Sequence, residues 1–437
     1  MRLLLVTYYY PPSGGSGVQR PLKMSRYLPE FGWDVTVLTV DPAHAAYPDP
    51  DPSMLGDVPP GVTVERTRAW DPYAAYARLL GARKSDLVGV AGLNAADASG
   101  PKQRLAAWLR ANVFLPDARV GWVPFALRRA RQLHADRPFD AVVTTAPPMS
   151  LHLVGLAFAR ATGVPWVADF RDPWTDRYDL QKLPRSRAAL ALDRALERAV
   201  LRRASRVVTV SPALARSLGA RRGRAVDVIP NGFDEADFSG DAPAPAPGHF
   251  TLAFVGNLSE HYDLSALWAA LARLGDEDHG ATRLRVVGNL APALRAGLEA
   301  HGLSGILDAV PYVPHAEAVA EMRRADALLL PIPRAAGAEG ILTGKLFEYL
   351  AAGRPVVGIG PVDGDAAQIV RDTHAGAFFG WDDADGLFEH LRGLLADHAN
   401  GTPRAGASAD AGRSYSRRGQ AEALAHVLAD ATTSRVS

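Results

Sequence analysis

Short apolar runs, each followed by a turn rich in glycine or proline and then by a stretch of mixed polarity, recur along most of this chain. Arg2 to Thr7 reads as a buried strand, Pro21 to Phe31 as a helix stopped by Gly32, and Asp34 to Thr39 as the next strand. Runs of this kind that alternate with helices predict parallel strands covered on both faces. The pattern continues with strands at Val62–Thr67, Ala141–Thr145, Pro165–Asp169, Arg206–Val210 and Val226–Ile229. Helices are expected over Ala126–Ala135 and Arg185–Ala204, and Ser211 is placed to cap a third. Asp241 to Gly248 alternates proline with alanine and reads as a semi-rigid linker.

Beyond the linker the pattern restarts. Strands are expected at Phe250–Val255, Leu284–Gly288, Leu307–Tyr312, Ala327–Pro331 and Pro355–Ile359, with helices at Ser265–Leu274, Pro292–His301 and His315–Arg324. The fold class is therefore α/β, with two Rossmann-like doubly wound domains facing a central cleft. The expected boundaries are 1–238 and 249–410, with a carboxyl-terminal helix in 411–437 crossing back onto the first domain. Residues 82–104 read as a mobile loop or insertion, and the last residues from Thr432 as frayed.

Composition narrows the function classes. A length of 437 residues with 48% hydrophobic and 22% charged residues fits a globular protein of two or more domains. The net charge of +1 gives no electrostatic argument for nucleic acid as a partner. Cysteine is absent, which removes thiolate metal sites and a cysteine nucleophile and fits the cytoplasm. Met1 to Val6 reads as a strand and not as a leader peptide, and no apolar run approaches the length of a spanning helix. Leu105–Pro116 mixes aromatic groups with arginine, and the 185–204 helix is basic on its exposed positions. Core packing and a solvated face explain both; peripheral contact at the inner face of the membrane is the second reading.

The candidate chemistry centres on Glu339–Val357. Here a polar loop leads into a short helix that Thr343 is placed to cap and that Gly353 and Pro355 end. Helix amides at that start suit a phosphate, and Gly340 and Gly344 allow close backbone approach. Lys345 adds a cation, and Glu348 shares its helical face. A cation for a diphosphate beside a carboxylate for ribose hydroxyls is what a sugar nucleotide needs; an ordinary surface ion pair is the alternative.

Two amino-terminal stretches add candidates. The loop after the first strand carries Gly14, Gly15 and Gly17 with Arg20 where the dinucleotide fingerprint needs a glycine. Its position at the carboxyl edge of a sheet suits a phosphate or a sugar ring, and Arg20 is a candidate acceptor contact. Asp169, Arg171, Asp172 and Trp174 close another strand. Asp172 is suited to orient or deprotonate a hydroxyl and Arg171 to bind an anion, against the alternative of an Arg–Asp pair locking a loop. His152 and Trp174 are further acceptor candidates, with a satisfied helix histidine the plainer reading for His152. Neither Asp49-Pro50-Asp51 nor Asp363-Gly364-Asp365 reads as a metal site.

Several stretches together resemble the two-Rossmann-domain (GT-B) retaining glycosyltransferases of glycosyltransferase family 4. They are Tyr10–Gly15, Ile229–Asp234, Phe254–Asn257, Tyr312–Pro314, Ala325–Pro331 and Lys345–Gly353, in the family's order over almost the whole chain. The resemblance implies a nucleoside diphosphate sugar as co-substrate, no cofactor, no obligatory metal, and retention at the anomeric carbon. It implies that the base lies near Val313, that Glu348 holds the ribose, and that the glycine loop closes on the diphosphate. It puts the acceptor, a small molecule, a lipid-linked unit or a saccharide, mainly on the amino-terminal domain.

The chain departs from the family in two places. Asn257 follows Gly256 where an arginine is usual, and Tyr262 stands near the position of a lysine, so Lys345 carries more of that charge. Eight residues, one more than the family's spacing, lie between Glu339 and Glu348. The backbone of Gly340, Ile341, Leu342 and Thr343 then takes the first glutamate's place. The leading expectation is transfer of a sugar to an acceptor hydroxyl in bacterial envelope polysaccharide or secondary-metabolite synthesis. The alternatives are a nucleotide-sugar epimerase or hydrolase, and a non-catalytic nucleotide-sugar-binding protein.

Overall fold

Strand β1 (Arg2–Val6) is apolar after its first residue because it is central. It pairs in parallel with β2 (Asp34–Val40) on one side and β4 (Ala141–Ala146) on the other. Strands β3 (Thr63–Thr67), β5 (Trp166–Phe170), β6 (Arg206–Thr209) and β7 (Asp227–Val228) complete a seven-stranded parallel sheet in the order β3-β2-β1-β4-β5-β6-β7. Alternate residues of β1 feed two cores. Leu4 and Val6 join Trp122, Phe158 and Trp166, whereas Leu3 and Leu5 join Leu22, Val35 and Trp33. The helices of this unit are α1 (Ser16–Tyr27), α2 (Val123–Asp136), α3 (Leu151–Thr162), α4 (Arg187–Arg203) and α5 (Pro212–Arg222). This computed structural model describes residues 1–45, 47, 50–70, 108–109, 111–176, 184–240, 243, 248–278 and 281–433. The expected insertion at 82–104, Asp49, the linker apart from Pro243 and Gly248, and the last four residues lie outside them.

Helix α1 begins at Ser16 and not at Pro21, so Pro21 sits inside the helix. A proline there donates no bond to the carbonyl four residues back, which belongs to Gly17. The consequence of that orphaned carbonyl appears at the site.

The second unit repeats the plan. Strands β8 (Phe250–Leu258), β9 (Thr282–Leu290), β10 (Leu307–Val310), β11 (Ala327–Pro331), β12 (Val356–Ile359) and β13 (Gly376–Phe379) form a parallel sheet in the order β10-β9-β8-β11-β12-β13. Its helices are α6 (Ser265–Asp278), α7 (Pro292–Ala300), α8 (His315–Arg324), α9 (Gly344–Ala352), α10 (Asp365–Asp372), α11 (Ala384–Ala399) and the short α12 (Ala409–Arg413). Strand β11 pairs with β8 at Leu252 and Ala253. Past that point Val255 N–H donates to the buried Tyr349 hydroxyl at 3.3 Å, which ties α9 to the end of β8.

The chain divides into Met1–Ile229 with Gln420–Ser437, and Pro230–Gly419. Residues 230–238, expected in the first domain, belong to the second. Phe233 N–H donates to the Tyr415 carbonyl at 3.1 Å, and Arg417 N–H donates back to Phe233 at 2.7 Å. The same bonds hold 411–419 in the second unit. Helix α13 (Arg417–Thr433) buries Ala421, Leu424, Leu428 and Ala431 in the core around Leu3 and Leu5.

Replacing Tyr349 with phenylalanine leaves the Val255 amide buried without an acceptor. Tyr349→Phe is expected to destabilise the protein by about 1–3 kcal/mol in urea unfolding. An unchanged midpoint would show that this bond does not anchor α9.

Candidate functional site

Helix α9 starts where the sequence predicts, but its cap differs. Thr343 occupies the cap position without a side-chain bond to the helix, and its Oγ1 is buried without a partner among the described residues. The Leu346 N–H donates to the Thr343 carbonyl at 3.3 Å, and the Gly344 and Lys345 amides of the first turn have no acceptor among the described residues. Gly353, at φ 66°, ends the helix in the left-handed conformation.

Lys345 leaves the first turn and lies against the end of β8, with Nζ 5.3 Å from the Phe254 ring centroid. It makes no hydrogen bond or ion pair among the described residues. Burial pushes its ammonium below the ordinary lysine value, and Glu348 only partly restores it. Glu348 is half-buried and likewise has no hydrogen-bond donor among the described residues. Burial pushes its carboxyl up, while His315, Lys345 and Arg417 pull it back and Asp237 adds to the rise. His315 itself approaches Asp237, with Nε2 3.2 Å from Oδ2. The helix thus holds a cation and a carboxylate largely out of water, neither in a hydrogen bond or ion pair among the described residues.

The other donor candidates spread around this helix. Gly256 lies directly beneath Lys345. Asn257 is exposed and accepts a bond from Asn289 at 2.9 Å. Val313 is half-buried in the loop after β10, and the neighbouring Tyr312 is 87% exposed. Glu339 is exposed on a single 3-10 turn (Ala338–Gly340), and Gly340, Ile341, Leu342 and Thr343 are half-buried between that turn and α9.

In the first unit, the cluster after β5 proves mostly structural. Asp169 is fully buried; Arg20, also buried, donates to it from Nε at 3.0 Å and Nη2 at 2.9 Å, and the Thr145 hydroxyl adds a third bond at 2.7 Å. Burial alone would raise this carboxyl, but the charge and bonds of Arg20, with Thr145, hold it below the usual range. Asp169 is saturated, and Arg20 has no exposed face for an acceptor. Arg171, expected to bind an anion, donates to the carbonyls of Gly17 at 2.8 Å, Ala146 at 3.2 Å and Pro147 at 2.9 Å. The first of these is the carbonyl that Pro21 orphans. Arg171 therefore shapes the glycine loop, in which Gly14 is buried, Gly15 exposed and Gly17 half-buried.

His152 and Trp174, expected to meet an acceptor, are buried too. Trp174 Nε1 donates to Asp193 at 2.7 Å. Trp166 Nε1 donates to Thr144 Oγ1 at 2.8 Å, which leaves the Thr144 hydroxyl hydrogen for His152 Nδ1 at 2.8 Å. The imidazole is then protonated on Nε2, which has no partner among the described residues. Burial, with Arg171 adding and Asp169 opposing, pushes its pKa down to about 3, so the ring is neutral. Asp172 alone of the group is exposed. Sequence reasoning missed Asp237, His315 and Asn289. Only Asn289 carried a local signal, the second copy of Val-Gly-Asn-Leu.

Comparison with known proteins agrees in both halves. A glycosyl transferase 4-like domain matches residues 14–232, and glycosyl transferases group 1 match residues 249–397. The chain is 29% identical to a 2-deoxystreptamine glucosyltransferase of Streptomyces kanamyceticus over 258 residues, which span 55% of this chain and 64% of that relative, just under two thirds of its length. Its fold is similar to that of a glycosyltransferase from Rickettsia africae, with TM-score 0.61, 9% identity and 98% of each chain covered. It is also similar to a lipopolysaccharide outer core galactosyltransferase, with TM-score 0.58, 11% identity and 100% of each chain covered.

Two outcomes follow from the charge environments. Arg20→Ala strands a buried carboxylate and is expected to cost about 3–5 kcal/mol in chemical denaturation; a loss within error of zero would contradict the pairing. Glu348 has a raised pKa in the folded state, so its contribution to stability is full below its unfolded pKa of about 4.3 and is lost as pH rises through the folded value. Near neutral pH the buried charge is a cost. Glu348→Gln should therefore raise the melting temperature of the free protein near pH 7.5 and lose that advantage near pH 4.

Proposed function

We propose that this chain, which belongs to the glycosyl transferase 4-like, group 1 family, moves a hexose from a nucleoside diphosphate sugar to an acceptor hydroxyl. The observation that carries the reading is the Lys345–Glu348 face of α9, where two opposite charges sit half-buried without a hydrogen-bond or ion-pair partner among the described residues. A ribose supplies hydroxyl donors to Glu348, and a diphosphate supplies the anion for Lys345 and the α9 amides. As the bond from the anomeric carbon to the phosphate oxygen breaks, negative charge grows on the leaving diphosphate. A fixed cation and fixed amides then stabilise the transition state more than the bound donor.

Transfer with retention is the stereochemistry that fits the family. The activities of the similar proteins, a 2-deoxystreptamine glucosyltransferase and a lipopolysaccharide outer core galactosyltransferase, support a small-molecule or saccharide acceptor in secondary-metabolite or envelope polysaccharide synthesis. Asp172 is the exposed carboxylate of the first unit's cluster and the group there best placed to meet an acceptor hydroxyl. Peripheral membrane contact is supported by α4, whose exposed positions include Arg187, Arg194, Arg198, Arg202 and Arg203 and no acid. Sedimentation with anionic vesicles at low salt, absent with neutral vesicles, is the expected sign; equal recovery with both would contradict it.

The test of the main reading is a screen of nucleoside diphosphate sugars with and without aminocyclitol and saccharide acceptors, following diphosphate release. Release that depends on acceptor is expected. Release without acceptor would indicate hydrolysis or isomerisation, and no release with any donor would overturn the reading. Lys345→Ala should lower kcat by about 10²–10³ with a smaller effect on nucleotide affinity.

A further inference from the structure

The chain between β11 and α9 takes an indirect path. Ile332 N–H donates to the carbonyl of Ile359, the last residue of β12, at 2.8 Å. The loop then crosses the end of β12, where two glycines make room for it. A Cβ at position 360 would lie 2.8 Å from Ile332 Cβ, and one at position 364 would lie 3.1 Å from the Glu339 carbonyl oxygen. The outer part of the loop, residues 335–337, is exposed and carries no side chain larger than a methyl group. Side-chain burial therefore does not hold that part in place.

Arg334 supplies the hold. Its Nη1 and Nη2 donate to the two oxygens of Asp382 at 3.0 and 2.8 Å, and Nη1 also donates to Asp263 at 3.0 Å. Asp382 follows β13. Asp263 follows β8 and accepts the Ser265 hydroxyl at 2.7 Å at the start of α6. The guanidinium carbon lies 5.5 Å from the Trp381 ring centroid, and Trp381 Nε1 donates to the Ile332 carbonyl at 2.9 Å. One side chain thus ties together loops that leave three strands, at the edge of the sheet where Gly256 and Lys345 also lie. Exposed ion pairs of this kind contribute little to stability. A planar guanidinium that bridges two carboxylates from different loops fixes geometry.

We propose that Arg334, clasped between Asp263 and Asp382, is a positioning residue for the hexose of the donor. It sets the 332–341 loop so that the backbone entering α9 meets the sugar, while the nucleoside diphosphate is held by α9 itself. This inference rests on the donor reading of α9 and adds to it what fixes the sugar side of the site.

Two measurements on the full chain test it. The first is hydrogen exchange in the free protein. The amides of Ala338, Gly340 and Ile341 donate within the loop at 3.2, 3.2 and 3.1 Å. Arg334→Ala should speed their exchange about tenfold and leave the α9 amides unchanged. The second is isothermal calorimetry with UDP-glucose, UDP-galactose and GDP-mannose, using UDP and GDP as sugar-free controls. Arg334→Ala should weaken the sugar nucleotide that binds by about tenfold and leave its diphosphate unaffected. Arg334→Lys keeps the charge without the bridge and should fall between wild type and alanine. Asp382→Asn should also weaken the sugar nucleotide, with no further effect in the Arg334→Ala background. The melting temperature should hardly move in any variant, which verifies folding. Unchanged exchange and sugar-nucleotide affinity in Arg334→Ala, or equal losses for sugar nucleotide and diphosphate, would overturn the inference and leave the donor reading intact. Failure of the unaltered protein to bind any of these nucleotides would overturn both.

Discussion

Taking a charge out of water without giving it a partner is expensive, and the carboxyl-terminal unit does so twice on one helix. Lys345 and Glu348 are half-buried on α9, and each is pushed by burial toward its neutral form. The surroundings keep them there. Tyr349 fastens α9 to β8 through the Val255 amide, and the slot at Gly256 receives the lysine chain. Phe347 packs on Tyr415, 5.6 Å between ring centroids, at the base of the same helix. A protein gains nothing in stability from such an arrangement. A ligand that brings hydroxyl donors to one group and phosphate oxygens to the other relieves both costs when it binds.

The amino-terminal unit treats its charges in the opposite way. Arg20 and Asp169 are more deeply buried, yet each donor and acceptor between them is matched. Arg171 spends its guanidinium on three carbonyls, including the one that Pro21 leaves unpaired inside α1. These groups set the shape of the glycine loop and of the loop after β4. The contrast separates the two units: the saturated charges of the first build loops, whereas the unsaturated pair on α9 is the one a ligand would relieve.

The fold was legible because a central parallel strand must be apolar on both faces, and that leaves a strong local pattern. Leu3, Leu4, Leu5 and Val6 announce β1 without any knowledge of their neighbours. The Lys345–Glu348 face was legible for a similar reason, since both residues lie on one short helix. The partners of Asp169 were not, because Arg20 is 149 residues away in the chain and nothing local marks the pair. A cluster of charge at a strand's end reads alike whether its groups are open or saturated, so His152 and Trp174 looked available when burial had removed them. The start of α1 falls earlier than expected because Pro21 reads as a first-turn residue, and nothing local shows that Arg171 supplies the donor its ring withholds from the Gly17 carbonyl.

The central claim is that α9 holds the leaving group of a nucleoside diphosphate sugar. A crystal structure of the chain with its nucleoside diphosphate tests it most directly. The account predicts ribose oxygens within hydrogen-bonding distance of the Glu348 carboxylate and a phosphate oxygen on Lys345 Nζ. A nucleotide ordered elsewhere, with both side chains unchanged and solvated, would contradict it.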